Sequence, residues 1–301
     1  MRIVFMGTPQ IAAMVLESLI LSDHTVAAVV TQPDKPNARG NSVVFSPVKQ
    51  IAIENGIPVL QPLKASEEES VAEIASYRPD IIVVAAYGQI LKPALLELPK
   101  YRCVNVHASL LPKYRGASPI QWAVINGEKE TGISIMYMEK GLDTGDVILK
   151  RSIELAEDET AGSLHDRLGK LGGPVLLEAL DLIETGKASP KPQDESEASY
   201  VGMIEKSMGK LDFNRTSIEL ERMIRGLIPW PGAYFYINGR LIKIWKAVIG
   251  DVDGLKPGEV YTDKDSFYIG TADKSLKILE LQLEGKKRML SADFLRGFKV
   301  C

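Results

Sequence analysis

The sequence predicts an α/β fold: a Rossmann-like, mostly parallel sheet followed by a second, smaller OB-like β-barrel domain. Three observations carry this expectation. Short, almost uniformly apolar runs alternate with helically spaced segments through the first part of the chain, as in a parallel sheet covered on both faces. Ser189–Ser199 (Ser-Pro-Lys-Pro-Gln-Asp-Glu-Ser-Glu-Ala-Ser) has the composition of a linker. Five short apolar runs separated by glycine turns then follow, which suits a small barrel. A length of 301 residues allows about two domains, each long enough to bury a core. The boundaries that follow are 1–188 for the first domain, 189–208 for the linker and 209–301 for the second.

Arg2–Met6 reads as a buried strand ending in Gly-Thr-Pro, with Ile11, Met14, Val15 and Leu19 next at helical spacing. Thr25–Thr31 is a second buried strand. Pro33–Pro47 is a long loop broken by Pro33, Pro36, Gly40 and Pro47, and a loop of that length is more often functional than inert. Val48–Asn55 is a helix, Pro58–Leu60 a short strand and Glu67–Ser76 an acidic helix. Asp80–Ala86 and Cys103–His107 are further buried strands. Gly132–Met138 and Val147–Leu155 have strand character and flank Asp143-Thr144-Gly145-Asp146, an antiparallel excursion. Ala161–Thr185 is helical and closes the domain. Beyond the linker come a helix over Ser217–Arg225 and strands near Ala233–Ile237, Arg240–Val248, Glu259–Tyr261, Ser266–Ile269 and Leu276–Gln282.

Bulk composition excludes several classes. Two cysteines, Cys103 and Cys301, supply neither a disulfide framework nor a cysteine metal site. Gly7, Pro9 and Glu17 interrupt any apolar run near the N-terminus, so neither a signal peptide nor a membrane span is expected, and a cytoplasmic setting is the default. The net charge is −3, but residues 209–301 carry 16 Lys and Arg against 12 Asp and Glu, leaving 20 against 27 before them. A mildly basic last third can touch a polyanion while an acidic body does something else.

In an open parallel sheet, ligands bind outside the carboxyl ends of the strands. Gly7, Tyr87-Gly88 and Asn105–His107 lie at such ends. Gly7-Thr8-Pro9 lacks the glycine spacing of a dinucleotide site, and no Walker sequence is present. Of the three histidines, His24 sits in a polar turn and His165 within a helix. His107 ends a buried strand two residues after Asn105, and a period of two puts both side chains on one face. Together they make a plausible oxyanion site for a carbonyl under attack. A lone Asn-x-His pair is more often a satisfied strand-end histidine. Asp143, in the turn sequence Lys-Gly-Leu-Asp-Thr-Gly-Asp, shifts the balance, because a carboxylate near an imidazole can orient it and carry a proton away from an attacking amine. Asn105, His107 and Asp143 form a poor metal site, and no serine or cysteine sits in a nucleophile elbow. Direct acyl transfer is what remains.

Asn105-Val-His-Ala-Ser-Leu-Leu-Pro112, Tyr114-Arg-Gly-Ala-Ser-Pro-Ile120, Gly132-Ile-Ser-Ile-Met136 and Leu142-Asp-Thr-Gly-Asp146 resemble the formyltransferases that use 10-formyltetrahydrofolate. Within that family the chain is similar, nearly end to end, to the members that formylate methionyl initiator tRNA. The likeness includes Phe5-Met-Gly-Thr-Pro9, Ala38-Arg-Gly40, Ser46-Pro-Val-Lys49, Ala86-Tyr-Gly-Gln-Ile-Leu91, Ile224–Ala233 and Gly285-Lys-Lys-Arg-Met289. The resemblance implies Asn105, His107 and Asp143 as catalytic residues. It implies Ser109, Leu110, Leu111 and Pro112 as folate contacts, with the Gln89, Ile90 and Leu91 backbone and the stretch around Met138–Asp143 lining the pterin pocket. It implies 10-formyltetrahydrofolate as co-substrate with no metal, and a monomer acting on tRNA. The loop Pro33–Pro47, with Arg39, would reach the acceptor end of the tRNA. Asn41-Ser42 and Trp122 stand where basic residues are common, so this region is less basic than the family pattern. Lys286, Lys287 and Arg288, with Arg240, Lys243 and Lys246, would hold the tRNA backbone.

Two rival readings keep other classes open. One is a related formyltransferase, or a formyltetrahydrofolate hydrolase, acting on a small substrate. A separate basic barrel has no reason to exist there. The other is a non-catalytic nucleic-acid-binding protein, against which the intact Asn105, His107 and Asp143 set speaks.

Overall fold

The computed structural model describes residues 1–36 and 43–298. They divide into two compact units, the first made of residues 1–116, 130–153 and 165–201, the second of 117–129, 154–164 and 202–301.

The first unit is built on a seven-stranded sheet. Its order is Val147–Glu154, Glu130–Tyr137, Cys103–His107, Ile81–Ala85, Arg2–Gly7, Thr25–Val30 and Val59–Leu60. Five neighbouring strands, from Cys103–His107 to Val59–Leu60, run parallel, and Cys103–His107 pairs antiparallel with Glu130–Tyr137. The sheet is therefore the mixed, mostly parallel α/β sheet that the apolar runs predict. Ile81–Ala85 is buried throughout because a central parallel strand presents both faces to packed layers.

The strand order reverses at Arg2–Gly7, with Thr25–Val30 on one side and Ile81–Ala85 on the other. Gly7 sits at that switch point. A Cβ there would lie 2.7 Å from Ala12 Cβ and 2.8 Å from the Ala85 carbonyl oxygen, so only glycine lets the next helix start this close to the sheet. That helix, Gln10–Ile20, buries Ala12, Ala13, Val15, Leu16 and Leu19, while Ile11 and Met14 are only half-buried. The difference from the predicted face has a packing cause. The long helix Ala161–Glu184 passes alongside, and at Gly169, Gly172 and Gly173 an added Cβ would meet Met14, Val15 and Ser18. The shorter helix is thus gripped on two sides, with alanines toward the sheet.

The linker-like segment carries long-range bonds within this first unit. Lys191 exchanges backbone hydrogen bonds with Val147, both 2.9 Å, and Tyr200–Val201 pairs in parallel with Arg115–Gly116. Residues 189–201 accordingly belong to the first unit.

The second unit holds an antiparallel sheet of six strands. Ala233–Ile237, Arg240–Gly250, Ser275–Leu283, Phe267–Gly270 and Val260–Thr262 follow one another, and Met289–Leu290 pairs with Ser275–Leu283. Register shifts between Ile244 and Ala247 coil the longest strand, as bulges do in small barrels. Helix Ser217–Gly226 starts from a reciprocal cap, with Thr216 accepting from the Glu219 N–H and Glu219 from the Thr216 N–H. Its Leu220 and Ile224, with the capping Leu227, join Ile242, Ile244, Phe267 and Leu276 in one core, against which Trp122 and Ile125 of helix Pro119–Asn126 also pack.

Candidate active site

Three elements of the first unit converge at the carboxyl end of Cys103–His107. The strand supplies Asn105 and His107, and its antiparallel pairing with Glu130–Tyr137 brings in the turn that follows that neighbour. This turn closes with the Tyr137 N–H donating to the Asp146 carbonyl at 2.9 Å. Asp143 occupies the turn with φ +55°, a left-handed conformation that aspartate tolerates better than most residues.

The carboxylate of Asp143 is the hub. Its Oδ2 accepts the Gly116 N–H at 2.9 Å and lies 3.7 Å from His107 Nδ1. Its Oδ1 faces Asn105 Nδ2 at 3.4 Å. The His107 ring is nearly buried, with 6% of its side chain exposed against 12% for Asp143. His107 Nε2 lies 2.9 Å from the Tyr114 carbonyl oxygen. A carbonyl only accepts, so Nε2 carries a proton and donates. The Tyr114 carbonyl therefore orients the ring and leaves Nδ1 as the nitrogen facing Asp143. Asp143, distant in sequence, thus meets Asn105 and His107 at the end of their strand.

The other candidate residues are placed as follows. Ser109 is fully buried and its hydroxyl donates to the Lys113 carbonyl at 2.6 Å. Ser134 Oγ donates to the Ser109 carbonyl at 2.7 Å and accepts the Leu111 N–H at 3.1 Å. Lys150 Nζ donates to the Leu111 carbonyl, and the Leu111–Pro112 peptide is cis. Leu111 and Pro112 are buried and Leu110 half-buried. The Ser109–Pro112 segment is thus a braced loop that presents backbone more than side chain. Gln89 turns its amide away from solvent. It accepts the Ala65 N–H at 2.8 Å and donates to the Leu63 carbonyl at 3.2 Å. Ile90 is 84% exposed and Leu91 is in the core. Arg39 lies outside the described residues.

In the second unit, Lys286 and Lys287 are exposed. Arg288 pairs with Glu280 and its guanidinium stands 5.3 Å above the Trp245 ring. Lys243 Nζ lies 6.0 Å from the same ring, whose N–H donates to Gln282 at 3.1 Å. Arg240 is 3.5 Å from Glu284. Two of the six basic candidates are therefore partly neutralised. Trp245 is an aromatic member of this face that the charge pattern alone did not single out, although its alternation with Lys243 along one strand carried the signal.

Sequence reasoning also missed Arg115, Gln193 and Glu195. Gln193 Nε2 donates to the carbonyl oxygens of Asp143 and Gly145, both at 2.8 Å, and its Oε1 accepts from Arg115 Nε at 3.1 Å. The Arg115 side chain is fully buried. It forms a two-bond pair with Glu195 at 3.0 and 2.7 Å and donates to Tyr200 Oη at 2.6 Å. Among the described residues no group of three His, Cys, Asp or Glu side chains could hold a metal ion. No helix among them is long and apolar enough to cross a membrane.

The arrangement combines a carboxylate, an imidazole with one free nitrogen and a side-chain amide. Such a set can move a proton and stabilise charge on a carbonyl oxygen. Comparisons with known proteins agree with that chemistry. The sequence profile of formyl transferases matches residues 1–180, and that of the formyl transferase C-terminal domain matches 203–299. A protein of Lachnospira eligens named methionyl-tRNA formyltransferase is 52% identical, covering 99% of this chain and 96% of its own. One of the same name from Caldanaerobacter subterraneus is 49% identical, covering 100% and 98%. Among solved structures, the N-formyltransferase of Helicobacter canadensis in complex with folinic acid and dTDP-3-aminofucose superposes with a TM-score of 0.69. It is 22% identical and covers 95% of this chain and 99% of its own, a likeness of fold.

Proposed function

Because the chain belongs to the formyl transferase family, we propose that Asn105, His107 and Asp143 transfer the formyl group of 10-formyltetrahydrofolate directly to the α-amine of methionyl initiator tRNA. The observation that carries this reading is the Asp143 carboxylate, held between the Gly116 N–H, Asn105 Nδ2 and His107 Nδ1.

The donor supplies a formyl carbon on an amide-like nitrogen, activated for attack by an amine. The methionyl amine must be neutral to attack. As it adds, charge develops on the formyl oxygen, where Asn105 Nδ2 can donate a hydrogen bond. His107 has already committed Nε2–H to Tyr114, so it can donate a second bond from Nδ1 only as imidazolium. The Asp143 carboxylate, beside Nδ1, can receive the amine proton and pass it to folate N10 as the bond between the formyl carbon and N10 breaks. No covalent enzyme intermediate is needed.

A folate fits the residues present. Leu63 and Ile90 are 83% and 84% exposed, and their loops are tied together by Gln89 and by Ser66, whose hydroxyl donates to the Ile90 carbonyl at 3.3 Å. Leu142, beside Asp143, is 59% exposed. Apolar side chains offered to solvent beside backbone polar groups suit a flat heteroaromatic ring. Ser109–Pro112, Gln89–Leu91 and Met138–Asp143 are the segments proposed to line that site. For the acceptor, the face formed by Lys243, Trp245, Lys286, Lys287 and Arg288 combines phosphate-pairing charge with a stacking platform. Arg39 in the Pro33–Pro47 loop is proposed to approach the aminoacylated end. The protein acts as a monomer in the cytoplasm, where charged tRNA is.

The test is incubation with 10-formyltetrahydrofolate and charged initiator tRNA, scoring formyl-methionine. Formylation at catalytic enzyme concentration supports the reading. Its absence, with transfer to a small amine instead, overturns the choice of acceptor.

A further inference from the structure

Resting on that reading, we propose that the segment Gln193–Val201 is a positioning strap for the active site and that Gln193 is its principal positioning residue. Linker composition at Ser189–Ser199 gives no hint of such a role.

Asn105 apart, the groups that Asp143 and His107 depend on are held from this segment. The Gln193 amide is saturated, with both N–H bonds given to the carbonyls of Asp143 and Gly145 and its oxygen taking Arg115 Nε–H. Asp143 sits at φ +55°, a conformation that a non-glycine residue keeps only where its surroundings enforce it. Two bonds to turn carbonyls, those of Asp143 and Gly145, supply that enforcement. On the other side of the carboxylate, the Gly116 N–H is fixed because Arg115–Gly116 pairs with Tyr200–Val201. The ring of His107 is fixed by the Tyr114 carbonyl, and the Tyr114 N–H in turn donates to Ser199 Oγ at 2.9 Å. One strap therefore sets the backbone of Asp143, the donor to its carboxylate and the acceptor of His107.

A buried arginine paired with a surface carboxylate is a costly arrangement for stability alone, since its desolvation offsets much of the attraction. Its geometry explains its presence here. Arg115 is the joint between Glu195, Tyr200 and Gln193, and it transmits the position of the strap to the Asp143 turn.

The experiment compares kcat and KM for Gln193→Ala and Gln193→Glu, each with and without Asp143→Asn, in the full-length protein. Both single variants are expected to lose about a hundredfold in kcat, the scale of a small misplacement of a reacting group, with KM for donor and acceptor nearly unchanged. The glutamate variant keeps the shape of the side chain but has no N–H to give. It therefore decides the matter if the alanine variant folds poorly. Placed on Asp143→Asn, either substitution is expected to cost less than threefold, because Gln193 acts through Asp143. A wild-type kcat in folded Gln193→Glu overturns the proposal. So does a loss that multiplies fully with Asp143→Asn, or one confined to KM. If the wild-type protein itself does not formylate methionyl-tRNA, the assignment of function has failed instead.

Discussion

His107 Nε2 donates to the carbonyl oxygen of Tyr114 at 2.9 Å, and this bond decides which nitrogen of the ring can take part in chemistry. The group that orients this histidine is thus a backbone carbonyl seven positions along the chain. Asp143 lies on the opposite side of the ring, 3.7 Å from Nδ1, and is the group we propose to handle the proton.

Gly116 is a tight point of this frame. It has φ +108°, and an added Cβ would come within 2.3 Å of the Val201 carbonyl oxygen, which cannot move without breaking the pairing with Tyr200–Val201. Gly116→Ala is expected to lower the unfolding free energy by about 2 kcal/mol or more. It should also reduce kcat, because the Gly116 N–H that binds Asp143 moves. Urea denaturation followed by circular dichroism measures the first effect, and formylation kinetics the second.

Glu195 gives a pH dependence with a defined sign. Its hydrogen bond and charge attraction to Arg115 hold its carboxyl below the usual carboxylate range. A depressed folded-state value means the pairing stabilises fully above the ordinary glutamate range and is lost as pH falls through the folded value. Wild-type protein should therefore exceed Glu195→Gln in stability at pH 7, with the gap closing in acid. The midpoints of urea denaturation over a series of pH values from 7 into acid test this. A gap that stays constant across the whole series would show that charge is not its source.

Cys103 is fully buried and its thiol is pushed up to about 12 by burial. The thiolate is the reactive form, so Cys103 should resist alkylation in the native protein and react on unfolding. In a Cys301→Ser background, iodoacetamide labelling at pH 8 is expected to add nothing to the folded protein and one carbamidomethyl group in 6 M urea. Rapid native labelling would contradict the packing described for the strand Cys103–His107.

The basic face of the second unit separates charge from stacking. Removing a phosphate contact by Lys286→Ala or Lys287→Ala should weaken tRNA binding and reduce the slope of log affinity against log salt by about 1. Trp245→Ala should weaken binding while leaving that slope nearly unchanged, because stacking releases no counterions. Filter binding over a series of salt concentrations distinguishes the two.

Much of the first unit was legible because interior parallel strands are apolar on both faces. Ile81–Ala85 falls within the segment read as a strand, and Cys103–His107 coincides with its prediction. Asn105 and His107 were legible through a period of two, and Asp143 through its turn sequence. Helix Pro119–Asn126 was not, because its apolar residues follow a proline and its role lies in packing Trp122 and Ile125 onto a distant core. Gln193, Glu195 and Arg115 were illegible for a related reason. Polar residues beside two prolines read as solvated chain, and only tertiary contact shows that their hydrogen bonds end on the Asp143 turn.

Single-turnover formylation of charged initiator tRNA by His107→Ala, with its fold verified by circular dichroism, tests the central claim most directly. The geometry predicts that the rate of the chemical step falls by about 10²–10⁴ while donor and tRNA still bind. A folded His107→Ala protein that formylates at the wild-type rate would contradict it.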